Sequence, residues 1–210
     1  MAIRILPFRQ YNETDVINMF ALDAAYVNES TTGSSNGDAG VFVSIPAAGG
    51  DLNKDPISYS DNQYNNYLGK TDYPFVGGNS YPSVSLKIKP ATSGDALLGL
   101  TLRQTAKFDE NGEKLLYYPQ KREELQCVLP GQAVPVAIRG VFTLASTAVN
   151  GSLTVGAGFA LSSGVSGTIT GCTLTNPARL GIVLGTGSRT SPTSLTDSLA
   201  GNYAMIALGL

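Results

Sequence analysis

The side chains able to do chemistry are few, and one type is missing. The chain has 210 residues and no histidine, the side chain that most often serves as general base and transition-metal ligand. Its absence excludes nucleophiles activated by an imidazole, HExxH zinc sites and most non-haem iron sites. Carboxylate chemistry remains. Glu110, Glu113, Glu123 and Glu124 lie close together in sequence, and an Asp/Glu pair suffices for glycoside hydrolysis. Such a pair needs one acid in an apolar pocket that raises its pKa. These glutamates sit instead in DENGE (109–113) and KREE (121–124), a hairpin tip and a charged face.

Other motifs are equally incomplete. Cys127 and Cys172 match no zinc-ribbon or CxxC spacing and read as small buried hydrophobes. GAGFALSSG (156–164) and GTGS (185–188) neither follow a strand into a helix nor end in Gly-Lys-Ser/Thr, so tight turns explain their glycines better than phosphate binding. DENGE lacks the oxygen spacing and distal Glu of a calcium loop. No cofactor or metal is expected.

Composition narrows the class. Charged residues make up 14%, against about 25% in an average soluble domain, and the apolar fraction is an ordinary 42%. No apolar run approaches the ~20 residues of a spanning helix, which argues against a membrane partner. A formal charge of −2 carries no basic stripe for nucleic acid. Pro7 and Arg9 interrupt the only stretch resembling a secretory leader, so assembly in a cytoplasm is expected. From Gln126 onward the only charged residues are Arg139, Arg179, Arg189 and Asp197. A tract with so little charge must present Ser, Thr, Asn and Gly to water or be covered by a neighbour.

The elements follow from turn chemistry. Asn111-Gly112 and Asn150-Gly151 tolerate positive φ between β-prone runs and predict hairpins. Pro130-Gly131 predicts a turn, with Pro135 at an edge or bulge. SGTITGCTLT, ARLGIVLG and NYAMIALGL continue a series of short strands, so the fold class is all-β, a small barrel or sandwich with an extended N-terminal arm and one short helix. NETDVINMFAL predicts a capped helix with Val16, Met19 and Phe20 on one face. PQKREELQ predicts another turn or two. The polar stretch 28–40 is a loop, and residues 51–81, rich in Tyr, Asn, Gly and Pro, are a long excursion ordered by tyrosine packing.

The opening RILPFRQYNETDVINMFALD follows an FRxYxExDVxNxFAL pattern, with Asn12 and Thr14 in variable positions. LPGQAVPVAIRGVFTL, VGAGFALSSGVSGTITG and ARLGIVLGTG are similar to the strands of small phage-head β-barrels. On these motifs the chain resembles virion structural proteins of tailed bacteriophages, and among them the capsid decoration, or cement, proteins. Residues 28–93 fall outside the resemblance. It implies a non-enzymatic protein on the outer surface of a virion, often a homotrimer, that stabilises the capsid by clamping major capsid protein subunits.

Three regions are expected: an arm (1–27), a loop-rich excursion (28–95) and a β-body (96–210). Phe8, Arg9, Tyr11, Val16, Met19 and Phe20 are the expected attachment residues, binding a capsid or sister subunit. Arg9 would meet an acidic group, and the aromatics would supply buried area. Two alternatives stay open: a tail or fibre module binding glycans through residues 59–81, and a carboxylate enzyme acting on polysaccharide.

Overall fold

The computed structural model describes residues 4–32, 36–47, 49, 57–58, 83–84, 86–190 and 201–209. Its strands in chain order begin with β1 (Ile5–Gln10), β2 (Val16–Ile17), β3 (Ala21–Leu22), β4 (Asn28–Ser30), β5 (Phe42–Ser44), β6 (Ile57–Ser58), β7 (Ser83–Val84), β8 (Lys87–Pro90) and β9 (Leu97–Thr101). They continue with β10 (Gln104–Phe108), helix α1 (Pro119–Glu124), β11 (Cys127–Val128), β12 (Val136–Ala137), β13 (Gly140–Ala145), β14 (Gly158–Leu161), β15 (Ile169–Cys172), β16 (Gly181–Arg189) and β17 (Gly201–Leu208). Among the described residues the fold is all-β, as expected, with one short α-helix.

Two six-stranded sheets dominate, ordered β1-β13-β17-β16-β14-β15 and β2-β12-β9-β5-β8-β3. Their facing sides share one core. Phe142, Leu144, Phe159, Val183 and Ile206 from the first sheet pack with Phe42, Leu100 and Ala137 from the second. Period-two alternation produces this division: along β17, Ala204, Ile206 and Leu208 are buried while Tyr203 and Met205 are exposed. A second cluster gathers Leu22, Val41, Val43, Ile88, Val134 and Val136. A three-stranded sheet, β11-β10-β4, covers Leu115, Cys127 and Leu129.

Several expectations change. The opening is not a detached arm. Ile5 pairs with Leu144 and Gln10 with Val141, so β1 is an edge strand of the first sheet. The predicted helix over NETDVINMFAL is a single 3₁₀ turn, Glu13–Asp15, capped by Asn12, whose Oδ1 accepts from the Thr14 N–H at 3.3 Å. The helix stops there because Val16 and Ile17 are taken into β2 beside β12, and long-range pairing overrides a weak local preference. The boundary drawn at 95/96 falls inside a sheet, since Phe42 pairs with Leu100 and Val43 with Gly99.

The turns fare better. Gly112, Gly131 and Gly151 all adopt positive φ. The first closes on a single bridge, Phe108 to Lys114. Asn150-Gly151 turns the chain but makes no hairpin, because β13 pairs with β1 and β17, and β14 with β15 and β16. Helix α1 forms where PQKREELQ was expected, with a proline in its first turn. Residues 59–81 lie outside the described residues; the flanking segments β6 and β7 pair, Ser58 opposite Ser83.

Candidate functional site

An irregularity in β1 exposes an apolar surface. Ile5 pairs with Leu144 and Arg9 with Phe142, which leaves Leu6, Pro7 and Phe8 facing Thr143 alone. A bulge of this kind bends a strand and re-aims its side chains, and proline is tolerated there because no ladder N–H is needed. Phe8 is consequently 74% exposed. It borders a groove of about 740 Å³ shared with Leu6, Pro7, Thr143, Tyr203 and Met205, with Arg189 at its rim.

The floor of that groove is set by register. Thr143 lies opposite Met205 and Ala145 opposite Tyr203, while Gly187 lies opposite Tyr203 on the other side. The Tyr203 ring covers Gly187, where a Cβ would sit 2.5 Å from ring atoms. Glycine on β16 therefore lets the aromatic ring lie down on the sheet. Thr143 is 3% exposed, and its Oγ1 has no hydrogen-bond partner among the described residues. A buried hydroxyl in that state favours any partner that brings a donor or acceptor into the groove.

The expected attachment residues do not form one surface. Successive residues of a strand point to opposite faces, so Phe8 and Arg9 separate. Arg9, Tyr11 and Val16 border a different cleft of about 420 Å³, with Glu13, Arg103 and Gln126. There Tyr11 is stacked on Phe142 and Val16 packs against the main core. Phe20 packs against the second core. Met19 is 58% exposed and borders neither cavity. Arg9 makes no ion pair among the described residues, whereas Arg103 donates to Glu123 at 2.9 Å. Gln126, with φ +49, is the one non-glycine in the left-handed region among the described residues.

Two of the four glutamates, Glu110 and Glu123, are engaged in ion pairs. The bond from Arg103 holds the Glu123 carboxyl below its usual range. Lys121 reaches Glu110 at 2.9 Å and Asp109 at 3.1 Å, and its hydrogen bond holds the Glu110 carboxyl low as well. A general acid needs a shift in the opposite direction.

Thr143, Tyr203 and Met205 carried no signal in the sequence as site residues. They meet Phe8 only through the pairing of β1, β13 and β17. No protein-family model, curated protein or solved structure matches the chain.

Proposed function

We propose that this chain is a non-enzymatic virion structural protein that decorates the outer surface of a phage capsid by binding major capsid protein subunits. The observation that carries the proposal is the lifted Pro7-Phe8 bulge beside the Tyr203 and Met205 groove. Exposed apolar clusters of this kind mark protein contact sites, and an aromatic anchor beside a groove is the usual energetic centre of an interface. The groove lies on the outer face of a sheet whose C-terminal strands carry little charge, so docking there desolvates few ions. The edge position of β1 adds a second mode of contact, pairing with an extended segment of the capsid subunit. On a lattice, many such attachments need only modest affinity each.

The test is copy number in purified particles, by quantitative mass spectrometry with the major capsid protein as internal standard. Hundreds of copies in near-integer ratio to that protein are expected. A handful would move the chain to the tail or fibre, and absence would end the virion assignment. Phe8→Ala with Met205→Ala should weaken attachment to stripped capsids by at least about tenfold. Wild-type attachment by that double variant would remove the groove from the contact.

A further inference from the structure

A second cavity lies where the β16–β17 ladder runs past the core. Thr186 pairs with Ala204 and Ser188 with Asn202, so alternation puts these residues on the face that buries Ala204 and Ile206 farther along. The 3₁₀ turn Ser146–Ala148 and the Gly151 turn close the other side. The result is an open cleft of about 480 Å³. Ser146, Ser152, Thr186, Ser188 and Asn202 line it, and Val149 and Leu153 supply its apolar part.

The polar groups here behave differently from those nearby. Asn150 Nδ2 donates to Ser162 Oγ at 2.7 Å, Ser162 Oγ accepts from the Gly164 N–H at 3.1 Å, and Thr168 Oγ1 donates to the Val165 carbonyl at 2.7 Å. Those side chains hold loops in place. The side chains of Ser146, Ser152, Thr186, Ser188 and Asn202 make no hydrogen bond to another described residue. Any one of them alone would be an ordinary exposed polar residue. Their convergence around one cavity is what distinguishes the site.

The lining selects a ligand class. None of the described residues that line the cleft is charged. Among these described residues a phosphate or carboxylate ligand would find no cation to pair with, and a metal ion no carboxylate. A lipid chain would strand the hydroxyls. A neutral sugar, with hydroxyl edges and apolar C–H faces, matches a wall of hydroxyl and amide groups beside Val149 and Leu153. We infer that this cleft binds a neutral saccharide unit. The inference is independent of where the protein sits in a particle, because binding would be a property of the isolated chain.

The test is an amide-resolved NMR titration of the full-length protein with maltohexaose, cellohexaose and chitohexaose, each taken to about 10 mM, the millimolar range expected of weak monovalent binding. At least one should give saturable shifts at residues 146–153, 186–188 and 202–204. Thr186→Val with Asn202→Ala should weaken that binding by about tenfold, because a site built for hydroxyls discriminates through its hydrogen bonds. Both positions are exposed on strands, so an unchanged spectrum elsewhere verifies the fold of the variant. No saturable shift with any of the three sugars would overturn the inference. So would shifts centred on Phe8 and Met205, or binding that the double variant leaves intact.

Discussion

The ring of Tyr11 stacks on that of Phe142, centroids 5.9 Å apart and planes 23° from parallel. Phe142 is fully buried, so this contact fastens the opening of the chain to the main core. Three residues earlier, Phe8 extends into solvent. Tyr11→Ala should therefore cost about 2 kcal/mol in urea unfolding, the loss of a half-buried aromatic pair. Phe8→Ala should stay within about 0.5 kcal/mol of wild type. The reverse ranking would mean that Phe8, not Tyr11, is the structural residue.

Gly181 is set by a close approach. A Cβ there would lie 1.9 Å from the Ala207 carbonyl oxygen and 2.9 Å from the Phe159 ring. Backbone cannot move aside as a flexible side chain can, so Gly181→Ala should destabilise by at least about 3 kcal/mol. Gly185, on the same strand, has open space at its Cβ position. Gly185→Ala should be neutral or stabilising by up to about 0.5 kcal/mol. Thermal unfolding followed by circular dichroism separates the two.

Arg4 and Asp38 form a buried pair, Nε to Oδ2 at 3.3 Å. Asn28 Nδ2 donates to Asp38 Oδ1 at 2.8 Å and its own Oδ1 accepts from the Gly37 N–H at 3.1 Å. Removing one member of a buried pair strands the other charge, so Asp38→Ala should cost about 3–5 kcal/mol. The double change Arg4→Met with Asp38→Leu should cost less than Asp38→Ala alone. A double-mutant cycle in denaturant reads this directly.

Asp109 anchors the Asn111-Gly112 turn. Burial by itself would raise its carboxyl, but the N–H of Glu113, the Lys121 ammonium and the N–H of Asn111 together hold it below the ordinary aspartate range. A carboxyl depressed in the folded state contributes stability above its unfolded pKa and loses it as pH falls through the folded one. Stability should accordingly decline below about pH 4, near the unfolded aspartate and glutamate values. Asp109→Asn with Glu110→Gln should flatten that acid limb while leaving Lys121 without its carboxylate partners. An unchanged acid limb in thermal melts from pH 2 to 7 would remove this turn as its source.

The cysteines differ more than their spacing suggests. Cys127 is fully buried beside the Ala106 carbonyl, and burial pushes its thiol up to about 11. Cys172, expected to be buried as well, is only half-buried at the end of β15, with a thiol that burial raises. Ellman's reagent at about pH 8, near the unperturbed thiol value, should label Cys172 in the native protein. Cys127 should react only after unfolding. Fast labelling of both would contradict the packing around Leu115 and Leu129.

Much of the β architecture was legible because its signals are local. Asn-Gly and Pro-Gly pairs mark positions where φ must be positive, and Gly112, Gly131 and Gly151 meet that demand wherever the strands go. Pro119 starts α1 for a similar reason, a preset φ and no N–H to lose. The helix expected over Val16, Met19 and Phe20 failed because the same apolar residues serve two different cores. Val16 joins the main one and Phe20 the second, and one helical face cannot reach both.

The sequence by itself determined the all-β class, the turn positions and, through the missing histidine, the exclusion of imidazole chemistry. These depend on what each residue type can do alone or with its immediate neighbours. Strand partners and the site were decided by tertiary structure. Phe8, Thr143 and Tyr203 lie far apart along the chain and meet through ladder registers. A shift of one residue in any of these would turn Tyr203 and Met205 into the core and Ile206 out to water. Burial of Phe142, Ile206 and Leu208 selects the register that prevents it, and that selection exists only once both sheets are packed.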